Sequence, residues 1–150
     1  MSRMVKRDIQ IDKVKKNFYI TALILIVVLT STYVYTRPLK VVEVTEENIL
    51  VLDNGSKVKL IGVGTGVQAG PFIRKWVEGK EVKLKYDQEK MNKNGQLLAY
   101  VYLPDGRFLN AEIIKQGYAS INKEMDFKYA EVFEHYQREA KQNNKGMWSD

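Results

Sequence analysis

The chain has 150 residues, a formal net charge of +6 and no cysteine. That length leaves room for one soluble domain of ordinary size, and the missing cysteines exclude disulfides and thiolate metal sites. The net charge does not by itself point to a nucleic-acid-binding face, because of where the charge sits.

The N-terminal tail, residues 1–17, carries Arg3, Lys6, Arg7, Lys13, Lys15 and Lys16 against only Asp8 and Asp12. Residues 37–150 hold eighteen basic and sixteen acidic residues, a net of only +2. Between them, from Phe18 to Thr36, no residue is charged, and the middle reads Ala22-Leu23-Ile24-Leu25-Ile26-Val27-Val28-Leu29. Such a run makes roughly 28 Å of helix against a hydrocarbon core of about 30 Å. Phe18 and Tyr19 at one end and Tyr33 and Tyr35 at the other bracket it as an interfacial aromatic belt would. The expected organisation is a basic cytoplasmic tail (1–17), one transmembrane helix (18–36) and an extracytoplasmic domain (37–150), with the tail held inside by its positive charge. A cleaved signal peptide shares the basic start and apolar run. The apolar run exceeds the usual h-region, however, and no Ala-x-Ala-like site follows it, which favours an anchor. Anionic membrane lipid is the partner expected for the tail.

Beyond the span, Leu39–Val44 is β-branched and reads as a strand. Ile49–Leu52 and Lys57–Val63 read as two more, joined across Asp53-Asn54-Gly55-Ser56, where Asn-Gly supplies the positive φ of a hairpin turn. Pro71 opens a short helix whose apolar face is Phe72, Ile73, Trp76 and Val77. Glu81–Tyr86 and Leu97–Leu103 are strands separated by the polar loop Asn92-Lys93-Asn94-Gly95. Two helices finish the chain, with Asn110 and Asp126 as expected caps and Gly117 and Gly146 as stops. Five strands and three helices predict an α+β domain, with a small closed barrel as the leading architecture.

Several residues invite a chemical reading. Gly62-Val63-Gly64-Thr65-Gly66 follows a strand as a phosphate-cradling loop would. The dinucleotide pattern needs glycine at Val67, though, and no Lys-Ser/Thr follows, so a tight turn is the reading. Trp76, Trp148 and Tyr118 read as core residues. His135 lies among Glu134, Gln137 and Arg138 and reads as solvated.

Five segments in this order resemble the staphylococcal nuclease (thermonuclease-like) family over about residues 39–148. They are Val58–Thr65, Gly79–Leu84, Gly95–Tyr102, Asn110–Ala119, and Ala140-Lys141 with Lys145–Trp148. The resemblance implies a five-stranded OB-type barrel with three helices, and a Ca²⁺-dependent phosphodiesterase. It also implies where the chemistry sits, and each such stretch departs from the family pattern. Where the family has Asp-Gly-Asp-Thr, this chain has Glu46-Glu47-Asn48-Ile49, with Asn48 in the place of a calcium aspartate. Where the family has Arg-Leu-x-Gly-Ile-Asp-Thr-Pro-Glu, it has Lys59 for the phosphate-clamping arginine, Gly64 for the second calcium aspartate and Val67 for the water-activating glutamate. The third stretch replaces the other clamping arginine with Gln96.

Calcium requires several hard oxygen ligands, valine accepts no proton, lysine cannot fork two hydrogen bonds onto a phosphate, and glutamine carries no charge. Removing one electrostatic group typically costs on the order of 10²–10³ in rate. These residues lead to the expectation of a domain that is not an enzyme, with the calcium site lost and no other metal site or cofactor. It would act as an accessory or scaffold subunit for a membrane-protein partner, and nucleic acid would not be its ligand. Glu46, Lys59, Gln96 and Tyr100 are the expected ligand-binding residues. Two alternatives remain: an extracytoplasmic OB module binding nucleic acid or another polymer, and a phosphodiester-hydrolysing nuclease whose metal ligands have moved to carboxylates such as Glu46, Glu47, Asp87 and Glu89.

Overall fold

The computed structural model describes residues 3–36, 38–64 and 69–149. The chain forms two units, residues 1–37 and 38–150. The first is one α-helix, α1 (Arg3–Thr36). Its stretch Asp12–Ser31, with a mean hydropathy of 1.5, is long and apolar enough to cross a membrane. Its large side chains, Leu23, Ile24 and Leu25 among them, are exposed. Within it, Thr21 and Thr30 return their hydroxyls to the carbonyls of Asn17 and Ile26, so neither leaves an unpaired donor in an apolar run.

The second unit is a closed five-stranded barrel. Its strands are β1 (Leu39–Val44), β2 (Leu50–Leu52), β3 (Lys57–Leu60), β4 (Glu81–Lys85) and β5 (Leu97–Tyr102), in the order β1-β2-β3-β5-β4. Every pairing is antiparallel except β3 with β5, whose register runs Val58↔Leu97, Lys59↔Leu98 and Leu60↔Ala99. A bulge between Val41 and Glu43 bends β1 so that the ring can close. The Asn54-Gly55 hairpin forms with Gly55 at φ +82° and the Ser56 amide donating to Asn54 Oδ1. Alternation then does what the pattern requires: Val58 and Leu60 are buried in the barrel while Lys57 and Lys59 face outward.

Three α-helices close the barrel ends: α2 (Ala69–Val77), α3 (Leu109–Lys115) and α4 (Ala130–Gln142). A last 3₁₀ turn spans Gly146–Trp148. The fully buried core combines Leu50, Leu52 and Val58 from the strands with Ile73, Ile113, Ile114 and Phe133 from the helices. Trp76 and Trp148 are only half-buried, packed beneath Arg107 (4.0 Å from the ring centre) and Lys141 (4.4 Å) respectively.

Three helix starts differ from expectation. α2 opens at Ala69, so Pro71 is its third residue; any position in the first turn tolerates a missing N–H. Asn110 caps nothing. It is fully buried inside the first turn of α3, and its side chain accepts from the Val101 amide (2.9 Å) and donates to the carbonyls of Ile61 (2.9 Å) and Ala99 (3.1 Å). Asp126 is exposed and four residues upstream of α4. The chain between them is used instead to bring Phe127 over Gly62, where a Cβ would lie 2.6 Å from the ring.

Candidate functional site

Four segments meet at one end of the barrel to form a groove of about 960 Å³. The first is the turn from β1 to β2, closed by the Asn48 amide donating to Thr45 O (3.0 Å) and the Thr45 amide to Ile49 O (3.0 Å). Asn48 takes φ +62°, which asparagine tolerates better than most residues, and the turn lifts Glu46 and Glu47 into solvent. The second is β3, which presents Lys59 half-buried on the wall. The third is the Asn92–Gln96 turn. Asn92 Oδ1 accepts from the amides of Asn94 and Gln96 (both 3.0 Å), and its Nδ2 donates to Gln96 Oε1 (2.8 Å). Gln96 is thereby held in place, with its own NH₂ left as a donor.

The fourth segment, residues 120–124, carries no motif, and sequence reasoning missed it. It reaches the groove because its backbone is stitched to the end of β3. Gly64 N–H donates to Ser120 O (2.8 Å), Asn122 N–H to Gly62 O (3.0 Å), and Val63 bridges to Ile121. The Ile121 amide is in turn anchored by Gln137 Oε1 (2.9 Å) on α4. Ser120, Asn122, Lys123 and Glu124 so line the groove opposite Glu46 and Glu47. The one available signal was the glycine pair itself. A Cβ at Gly64 would sit 2.9 Å from Ser120 O, the mark of a close backbone approach. The same bonds decide the Gly62–Gly66 question over its described part. The Val63 and Gly64 amides donate to Leu60 O and Ser120 O, so neither is free to cradle a phosphate.

Of the expected residues, Glu46, Asn48, Lys59, Gly64 and Gln96 all line this groove. Val67, with Thr65, lies outside the described residues. Tyr100 does not join the others. Its ring is 2 % exposed, packed edge-on against Phe108 (5.6 Å) and Tyr129 (4.9 Å), and its hydroxyl donates to Asp87. Burial first, and the Asp87 carboxylate second, push the Tyr100 hydroxyl pKa well up, so it stays protonated. Asp87 is shifted the other way, held below the ordinary carboxylate range first by the Lys128 amide (2.9 Å) and then by the Tyr100 hydroxyl. This pair ties the turn after β4 to the chain entering α4, away from the groove. His135 is on the outer face of α4, its Nε2 3.5 Å from Glu139.

A calcium ion takes six to eight oxygen ligands, several of them charged. Among the described residues no three His, Cys, Asp or Glu side chains gather closely enough to hold a metal. Asn48 Oδ1 is buried without a hydrogen-bond partner among the described residues, pointing at Gly70 in the first turn of α2. The described residues do not fit a calcium cage of the family's kind.

The sequence model described as "Staphylococcal nuclease homologue" matches residues 62–150. A thermonuclease of Staphylococcus intermedius is 30% identical over 136 residues, covering 79% of this chain and 80% of that protein. A thermonuclease of Staphylococcus hyicus is 28% identical over 128 residues, covering 74% and 75%. A prophage-derived endonuclease of Bacillus subtilis is 31% identical over 87 residues, covering 56% and 29%. These relatives bear the names of nucleases, and they overturn the expectation that this domain is not an enzyme. That expectation rested on the joint loss of five motif positions, Asn48, Lys59, Gly64, Val67 and Gln96. The folded groove still gathers a cation, amide donors and carboxylates from four segments, and altered motif residues do not establish inactivity. The chain belongs to the staphylococcal nuclease homologue family.

Proposed function

We propose that this protein is a membrane-tethered nuclease of that family, which holds a nucleic-acid strand in the groove at Lys59 and hydrolyses its phosphodiesters there. The observation that carries the reading is the position of Lys59. It is a half-buried cation lining a groove that Asn94, Gln96 and Asn122 also line. A lysine there holds a phosphate as a point charge. The amide donors orient the neighbouring oxygens. Glu46, Glu47 and Glu124 are the carboxylates lining the groove that are available to take a proton from attacking water. With a net charge of only +2 over residues 37–150 and few cations in the groove, binding is expected to be weak and only shallowly salt-dependent. Helix α1 supports the tether, and the charge excess of the tail supports a cytoplasmic N-terminus with the domain outside.

The test uses the full chain in lipid nanodiscs with labelled single-stranded DNA at low salt, with calcium, magnesium and manganese supplied separately. Cleavage that falls at least tenfold in Lys59→Ala supports the reading. Absence of cleavage under every condition, or cleavage undiminished in Lys59→Ala, refutes it. Carbonate extraction and protease protection of membrane vesicles test the tether and its orientation.

A further inference from the structure

A second cleft, of about 810 Å³, adjoins the groove and shares Asn122 and Glu124 with it. Its lining is of a different kind. The floor is apolar, with Ile61 and Leu98 buried beneath Met91 and Met125, and Met91 is 55% exposed. Around the floor stand Asp87, Glu89, Glu124 and Asp126 against one cation, Lys93. The Asp87 carboxylate is already engaged by Tyr100, Gln88 and Lys128. Glu89, Glu124 and Asp126 have no ion-pair partner among the described residues.

That combination narrows the occupant. A phosphate-bearing strand is repelled by the carboxylates, so the strand in the neighbouring groove does not continue here. A metal ion is not what the cleft is built for, since no three of its carboxylates converge closely enough to ligate one. Its volume falls in the usual range for organic ligands, about 300–1,000 Å³. An exposed Met91 and a half-buried Met125 beside buried aliphatics make an adaptable apolar surface of the sort that accepts varied side chains. Unpaired carboxylates around it favour a partner that brings positive charge and apolar groups together.

We propose that this cleft is a docking site for a basic, partly apolar peptide segment of a protein partner, with arginine or lysine meeting Glu89, Glu124 and Asp126 and an aliphatic side chain covering Met91 and Met125. Because Asn122 and Glu124 belong to both sites, an occupied cleft bears directly on the groove wall.

The test is fluorescence anisotropy with the full chain in phosphatidylcholine nanodiscs and a fluorescein-labelled (Arg-Leu)₄ peptide, corrected for empty discs. Saturable binding is expected, with (Glu-Leu)₄ failing to bind and (Arg-Ser)₄ binding several-fold more weakly. The variant Glu89→Gln/Glu124→Gln/Asp126→Asn should weaken (Arg-Leu)₄ binding at least tenfold. Should that variant melt early, Glu89→Gln/Asp126→Asn replaces it and should weaken binding at least threefold. Met91→Ser should weaken (Arg-Leu)₄ but leave (Arg-Ser)₄ unchanged. The proposal is overturned if the carboxylate variants bind like the wild type. It is also overturned if spermidine displaces the peptide as effectively as unlabelled peptide does, which would give the site to a small polycation.

Discussion

Two polar residues serve the same parallel seam between β3 and β5, and the fold treats them in opposite ways. Asn110 is completely buried, and it spends its side chain on Val101, Ile61 and Ala99, joining the backbone where the two strands part. Lys59, two residues before Ile61, stands on the outer side of the seam in an open groove, with no ion pair among the described residues. In the first region every polar group is satisfied, and what it contributes is stability. In the second, charge is held ready without a partner, and what it contributes is available to a ligand. The two sides should therefore answer mutation in different measurements.

The largest stability effect is expected at Asn110. Asn110→Ala takes their side-chain partner from the buried Val101 amide and Ile61 carbonyl, while the Ala99 carbonyl keeps the Ile61 amide, and should cost about 2–4 kcal/mol in urea unfolding. A loss below about 1 kcal/mol would mean that water reaches the seam, blurring the contrast with the groove. Gly64→Asp, which puts an aspartate where the family resemblance leads one to expect a calcium ligand, tests the crowded joint between the two regions. Its Cβ would meet the Ser120 carbonyl at 2.9 Å, so about 1–3 kcal/mol of destabilisation is expected, with no rise in melting temperature on adding calcium. A calcium-dependent rise would show that the 120–124 segment yields and that a cage can form.

Asp87→Ala probes the Asp87–Tyr100 pair, which stands with the structural side. At pH 7 the variant should lose about 1–2 kcal/mol by leaving the Tyr100 hydroxyl and the Lys128 amide without their acceptor. The sign with pH follows from the depressed carboxyl. Its contribution is complete above the unfolded value of about 4, and is lost as pH falls through the lower folded value. Wild type and variant should therefore converge in urea melts below about pH 4. A gap that stays constant into acid would remove the carboxylate from the account. Lys59→Ala is expected to move stability least, within about 0.5 kcal/mol, since the residue is solvated on one side and unpaired.

Much of the barrel was legible because local patterns agree with it. The alternation Lys57-Val58-Lys59-Leu60 sets the inside and outside of β3, and Asn54-Gly55 fixes the hairpin before it. The buried Asn110 was not legible, because an asparagine at a helix start carries the same local signature whether it caps or turns inward. Only the approach of β3 and β5 decides between them. Tyr100 was misplaced for a related reason. Tyr100, Val101 and their neighbours are buried on both faces of β5, so alternation could not say which side faces a ligand. The fourth wall of the groove came from a segment some sixty residues along the chain from β3, through backbone hydrogen bonds that side-chain chemistry does not announce. The altered motif residues, taken together, pointed to an inert domain; the relatives that bear the names of nucleases overturn that.

The most direct measurement is the initial rate of single-stranded DNA cleavage by the full chain in nanodiscs, compared among wild type, Lys59→Ala and Tyr100→Phe. The account predicts measurable cleavage by the wild type, at least a tenfold loss in Lys59→Ala with unchanged melting, and a rate within about twofold of wild type in Tyr100→Phe. Equal rates for wild type and Lys59→Ala, or no cleavage by any of the three, would contradict it.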